Sequence, residues 1–189
     1  GKGPGVDRAG DALKHGNAYG SSRLGGVLAV CGDDHGCVSS SLPHQSDTAL
    51  QHFGMPVLHP ANVAEYLEFG LYGWALSRFS GAWVGFKAIS EVVESGMTVD
   101  LDAVALDFTQ PVEHTPAVDL HIRSVDLPSL ALEERMAHKL AAVRAFAKVN
   151  SVDKHIVVSP RASLGIVTVG KAHFDFMEVL RRLELDPNA

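Results

Sequence analysis

Residues 25–47 read GGVLAVCGDDHGCVSSSLPHQSD, and this stretch decides the fold and locates the candidate site. The unbroken apolar run at 27–31 predicts a buried central strand. The run stops at Gly32, and a loop rich in Ser, His, Asp and Gly follows it. Because ligands of an open parallel sheet bind outside the carboxyl ends of its strands, we expect the functional site in this loop.

The pattern continues outward from this stretch as alternating helices and strands. It predicts a short helix at 47–52, an extended segment at 55–58, a helix opened by Asn62 and Glu65 as a capping box, and a strand at 82–89. Alternation of this kind is typical of βαβ units, so the predicted fold class is α/β, three-layer α/β/α with a mostly parallel sheet. The helix at 63–78 is expected to bury Val63, Leu67, Leu71, Trp74 and Ala75.

The second half of the chain has a different organisation. Residues 94–128 lack a long periodic run and are predicted to form an irregular connector with short strands. A long helix at 130–150, capped by Ser129, should bury the stripe Leu132, Met136, Leu140, Val143 and Ala147. The apolar run at 164–170 predicts a second buried strand, and the helix at 171–183 should turn Phe174, Met177, Leu180 and Leu183 inward. We interpret this part as an incomplete second α/β unit, and we expect the chain to be a segment of a longer protein.

Composition excludes several classes of function. The net charge is −6 and the basic residues are not clustered, so neither nucleic acid nor an anionic membrane is an expected partner. No apolar run approaches the ~20 residues of a membrane-spanning helix. The two cysteines, Cys31 and Cys37, indicate a reducing, cytoplasmic location, and their spacing predicts no metal site.

Three long stretches carry a resemblance to a known family. GKGPGVDRAGD at 1–11, GGVLAVCGDDH with the later SS-x-LPHQSD, and PVLHPANVAEYLEFGLYGWALSRFSGAWVGFK at 56–87 resemble the indolepyruvate ferredoxin oxidoreductases, in particular their long fused bacterial form. A further, weaker match is LGIVTVGKAHFDFMEVLRRLEL at 164–185. These are thiamine-diphosphate-dependent enzymes that convert an aryl 2-oxoacid and coenzyme A to acyl-CoA and carbon dioxide, with ferredoxin as electron acceptor.

The resemblance implies a domain assignment. Residues 1–98 would be the later part of the pyrimidine-binding domain, 99–130 a connector, and 131–189 the long helix and the start of a domain like the carboxyl-terminal domain of transketolase. The parent enzyme would hold thiamine diphosphate with magnesium, and an iron–sulfur cluster elsewhere. The implied partners are its diphosphate-binding and γ-type domains, ferredoxin and coenzyme A, within a homo-oligomer.

Two departures from the family limit what the chain does alone. The resemblance implies that the glutamate that activates the cofactor would lie upstream of residue 1, so the catalytic residues are unknown here. The Gly-Asp-Gly motif of the diphosphate site is absent too, since Gly32-Asp33-Asp34 lacks the second glycine. We therefore expect the isolated chain to be inactive and to bind no cofactor.

On this resemblance, the residues expected to line the cofactor and substrate cleft are His35, Ser39, Ser40, His44 and Gln45, which can hydrogen-bond an oxoacid. An alternative is that Asp33, Ser39 and Ser40 satisfy loop amides and cap the next helix. Two other functions stay open: a different thiamine-dependent 2-oxoacid enzyme, or a non-catalytic α/β assembly module.

Overall fold

A computed structural model describes residues 1–104, 107–112, 114, 118–123, 125 and 129–186 of the chain. Its strands are β1 (Leu28–Asp33), β2 (Val57–Leu58) and β3 (Val84–Ile89), and they form one sheet in the order β1-β3-β2. Both strand pairs are parallel. The α/β class with a parallel sheet is therefore confirmed, while the three-layer arrangement and the domain boundaries stay predictions.

Seven helices surround or follow the sheet in the described part of the chain. They are α1 (Gly3–Arg8), α2 (Gly10–Tyr19), α3 (Asp47–His52), α4 (Val63–Ser80), α5 (Ser90–Val93), α6 (Ala131–Val149) and α7 (Ala172–Arg182). None of them, within the residues described, combines the length and apolarity that crossing a bilayer requires.

Helix α4 begins and ends for local chemical reasons. The Asn62 side chain accepts a hydrogen bond from the Glu65 amide (3.0 Å), and the Glu65 carboxylate accepts one from the Ala61 amide (2.7 Å), as a capping box requires. The helix ends at Gly81, which has φ 71°. A Cβ at Gly81 would lie 2.2 Å from the carbonyl oxygen of Leu120, so both the conformation and the space require glycine.

The prediction that the 27–31 run forms the central strand is wrong. Strand β3 is central and all six of its residues are buried, whereas β1 lies at one side of the sheet and Val30 is half exposed. The backbone of Gly1 pairs with the outer side of β1, bonding Val30 and Gly32. An apolar run indicates that the faces of a strand are buried, but it does not indicate which strands lie beside it. The position of β1 in the sheet could therefore not be predicted from this run.

The buried faces of two helices also differ from the prediction. Helix α4 buries Phe69, Tyr72 and Leu76, while Leu67, Leu71 and Trp74 are exposed. Both faces of α4 are apolar, so periodicity alone could not choose between them.

Helix α6 packs against α4 and α2 on a face that contains two cations. Its buried residues are Arg135, Lys139, Ala142 and Phe146, rather than the predicted apolar stripe of Leu132, Met136, Leu140, Val143 and Ala147, whose members are only half buried. Lys139 and Arg135 both donate to carbonyl oxygens at the end of α2, and this role explains their burial.

The predicted buried strand at 164–170 is wrong. This segment is not assigned to a strand, and Leu164, Ile166, Val167 and Val169 are each more than half exposed. A strand is stable only when another strand pairs with it. The described residues that follow this segment form α7 and contain no strand that could pair with it. Helix α7 forms as predicted, but Phe174 and Leu183 are exposed rather than inward.

The connector was predicted to contain short strands. Its described residues hold a 3-10 turn at Leu101–Ala103 and no strand. Residues 105, 106, 113, 115–117, 124 and 126–128 of this prediction, and 187–189 at the end, lie outside the described residues.

Two apolar clusters stabilise the fold. The larger one joins α4, α6 and the sheet, and its buried members are Leu58, Phe69, Tyr72, Leu76, Val84, Phe86 and Phe146. The second joins α1 and α3 to β1 through Val6, Leu50, Met55 and Cys31. Together they fix the strands from which the candidate site projects.

Candidate functional site

The strand register brings three polar side chains to the carboxyl edge of the sheet. Leu58 is opposite Phe86, so His59, the next residue, lies level with Lys87 of β3. Cys31 is opposite Lys87, and Asp33 lies two residues farther along β1 on the same face. Side chains that are distant in sequence therefore meet where a parallel sheet places its ligands.

Lys87 is the centre of this group. Its side chain is 3% exposed, and its ammonium nitrogen lies 3.5 Å from a carboxylate oxygen of Asp33 and in direct hydrogen-bond contact with Asp47. Asp33 is completely buried, whereas the Asp47 side chain is 41% exposed. Burial alone would raise the pKa of Asp47, but the hydrogen bond and the charge of Lys87 hold it below its ordinary value.

Asp33 also fixes the start of the next helix. Its carboxylate accepts hydrogen bonds from the Ser46 amide (2.8 Å) and the Ser46 hydroxyl (2.6 Å). Ser46 directly precedes α3, and Asp47 is the first residue of that helix. One buried carboxylate thus anchors the loop end and holds Asp47 against Lys87.

Two histidines complete the group, which we call the edge cluster: Asp33, His35, Asp47, His59 and Lys87. Ligand-type atoms of Asp33, His35 and Asp47 lie within 4.8 Å of one another. The Nε2 atoms of His35 and His59 are buried and make no hydrogen bond to any described residue. Burial, together with the positive charge of Lys87, lowers the pKa of His59 and favours its neutral form.

The segment before α7 reaches the same edge. Gly170, with φ 58°, packs against the imidazole of His59, and a Cβ at this position would lie 2.6 Å from Nε2. The segment 164–170, which the sequence predicts as a strand, instead places its last residue over part of the edge cluster.

Asp34 gives the loop its shape. Its two carboxylate oxygens accept hydrogen bonds from the amides of Val38 and Ser39, both at 2.8 Å. These backbone bonds lower the pKa of Asp34. The loop-structuring role that the alternative interpretation gave to Asp33 is therefore seen at both aspartates.

The predicted cleft residues divide into two groups. His35 belongs to the edge cluster, whereas Ser39, Ser40 and His44 line a separate depression of about 360 Å³ with Lys2 and Pro4. Gln45 is exposed.

The second group packs against the amino-terminal residues. Lys2 donates to the Ser39 hydroxyl (2.8 Å), and Nε2 of His44 lies 3.2 Å from an Asp7 carboxylate oxygen. The His44 ring covers Gly3, where a Cβ would lie 2.0 Å from Nδ1. These contacts hold the far side of the loop in place.

Sequence reasoning missed Asp47, His59 and Lys87 as members of one group. His59 directly follows an extended segment, as Asp33 follows the 27–31 run, and that position was the available signal. Lys87 lies inside a strand, and Asp47 was interpreted only as part of a helix start. Their convergence depends on the strand order, which the sequence does not contain in any local pattern.

In comparisons with protein-family models, curated proteins and solved structures, nothing matches the chain.

Proposed function

We propose that this chain is part of a thiamine-diphosphate-dependent 2-oxoacid oxidoreductase of the indolepyruvate ferredoxin type. The support for this family is the resemblance of residues 1–11, 25–47 and 56–87. The structural observation that supports a functional site is the edge cluster, because its charged and imidazole groups lie together at the carboxyl ends of parallel strands. In this proposal the cluster forms one wall of a cleft that another domain of the enzyme completes.

The described residues do not suit the diphosphate end of the cofactor. Both oxygens of Asp34 are bonded to loop amides, and Gly32-Asp33-Asp34 lacks the second glycine of the diphosphate motif. Asp34 is therefore not free to hold a magnesium–diphosphate group, and we assign no reaction step to the cofactor here. What the chain supplies is a fixed set of hydrogen-bonding groups beside the sheet.

The edge cluster is suited to binding and orienting an anionic, carbonyl-containing molecule. A neutral His59 and an unpaired His35 nitrogen can each donate or accept one hydrogen bond, depending on the tautomer. Lys87 keeps Asp47 ionised close by. Substrate recognition would thus rest on the imidazoles, with the ion pair holding them in place.

The direct test expresses the gene that encodes the chain from its own start codon to its own stop codon, under anaerobic conditions. Indolepyruvate, phenylpyruvate and pyruvate are each supplied with coenzyme A, and reduction of a viologen dye is followed by absorbance. We expect an aryl 2-oxoacid to reduce the dye only when coenzyme A and thiamine diphosphate are present. Aldehyde release without dye reduction would instead indicate a thiamine-dependent decarboxylase, and no reaction with any oxoacid would refute the proposal.

A non-catalytic assembly role is the second candidate, because α4 exposes Leu67, Leu71 and Trp74 along one side. If assembly is the sole role, the His35→Ala variant of the same expressed protein turns over as fast as the wild type. Sedimentation of that protein would then show a subunit association that substitution of Trp74 by Ser weakens.

A further inference from the structure

The edge cluster has a donor set that suits a metal ion. Asp33, His35 and Asp47 each present one oxygen or nitrogen atom within 4.8 Å of the other two. Tetrahedral ligands bonded at ~2.1 Å to one ion lie ~3.4 Å apart, so closure needs shifts of no more than about 1.4 Å. The Asp47 side chain is 41% exposed and can supply that movement by rotation.

A second observation points to an absent ligand. The Nε2 atom of His35, a member of this group, is buried and has no hydrogen-bond partner among the residues described. Buried ring nitrogens normally have a partner, because otherwise they lose hydration without compensation. A bond to a metal ion would satisfy this atom.

The present arrangement is organised around a cation. The Lys87 ammonium lies between the two carboxylates and draws them towards a common point. It neutralises one of their two negative charges, but it does not satisfy the imidazole nitrogen of His35. A divalent ion bound by all three ligands would neutralise both charges and satisfy this nitrogen. It would take the place of the ammonium beside both carboxylates, while Asp33 keeps its hydrogen bonds from Ser46.

We propose that Asp33, His35 and Asp47 form a site for one divalent transition-metal ion, with Lys87 holding the two carboxylates ready at the position that the ion takes. An imidazole nitrogen with two carboxylates favours zinc, cobalt or a similar ion over calcium. This site is separate from any magnesium–diphosphate group, and it does not rest on the proposed function. The expectation of no metal site came from cysteine spacing, which does not concern these residues.

Cobalt(II) chloride is the probe, because its visible absorption reports bonded ligands and zinc should displace it. Titration of the 189-residue chain, followed by absorbance and calorimetry, should show one ion bound per chain. Asp47→Asn and His35→Ala should each weaken binding at least about tenfold, since each removes a ligand. Lys87→Met should strengthen binding, because it removes the competing charge. His52→Ala, an exposed histidine at the end of α3, should change nothing.

Absence of saturable binding would overturn the proposal, and so would binding that persists in both His35→Ala and Asp47→Asn. Binding lost in His52→Ala would assign the ion to the protein surface and would overturn it as well. Asp33 is not substituted, because it is buried and anchors Ser46. Circular dichroism of each variant checks folding, and if Lys87→Met does not fold, the two ligand variants still decide the outcome.

Discussion

The charge state of Lys139 should make the stability of the fold depend on pH. Its side chain is completely buried, and its nitrogen donates to the carbonyl oxygens of Asn17 (2.7 Å) and Ala18 (3.0 Å) at the end of α2. Burial, with the charge of Arg135 as a smaller contribution, lowers the pKa of Lys139 to about 7. An unfolded lysine titrates near ~10.4.

The direction of the pH effect follows from these two values. Between about pH 7 and pH 10 the unfolded chain keeps a proton on Lys139 that the folded chain has released. The free energy of unfolding should therefore rise with pH in this interval. For a folded pKa of about 7, the rise from about pH 7 to pH 9 is at most about 2 kcal/mol.

The assay is urea unfolding followed by circular dichroism at several pH values for the wild type, Lys139→Met and Lys148→Met. Lys148 is exposed on the same helix and serves as the matched control. The wild type should gain about 2 kcal/mol relative to Lys139→Met between about pH 7 and pH 9. Taking the difference removes the opposite effect of Cys31, whose pKa is raised by burial. Parallel curves for the wild type and Lys139→Met would refute this reasoning.

Three further predictions concern packing and capping, and each is measured as a change in the free energy of unfolding. Phe146 is completely buried between α6 and α4, so Phe146→Ala should cost about 3–5 kcal/mol, and a loss below about 1 kcal/mol would contradict the packing of these helices. Gly3→Ala should cost about 1–3 kcal/mol because the new methyl group displaces the His44 ring, whereas Gly5→Ala has open space and is the control; equal effects would show that the ring lies elsewhere. Asn62→Ala should cost about 1 kcal/mol through loss of the helix cap, and an unchanged stability would show that the cap is not formed.

Features encoded by neighbouring residues were predictable from the sequence. The helix at 47–52, the capping box of Asn62 and Glu65 and the strand at 82–89 all depend on side chains a few residues apart. The position of the polar loop after β1 follows from the end of one apolar run. These parts of the fold were confirmed.

Features that depend on distant partners were not predictable. Helix α4 is apolar on both sides, and only the position of α6 decides that Phe69 and Tyr72 are buried rather than Leu67. From the sequence, a lysine such as Lys139 is expected to be exposed to solvent. It is buried because its ammonium group donates to carbonyl oxygens at the end of α2, a contact that no local pattern predicts. Lys87 likewise reaches its two aspartates only through the strand order.

The measurement that tests the central claim most directly is the steady-state turnover of the gene product expressed from its own start to its own stop codon, comparing the wild type with His35→Ala and with His52→Ala. If the edge cluster binds and orients the substrate, His35→Ala should lower kcat/KM by about 100-fold, because a misplaced substrate reacts more slowly, while the melting temperature stays unchanged. His52→Ala, on the exposed end of α3, should keep the wild-type rate. Equal turnover of the wild type and His35→Ala would contradict the assignment of this edge of the sheet to catalysis.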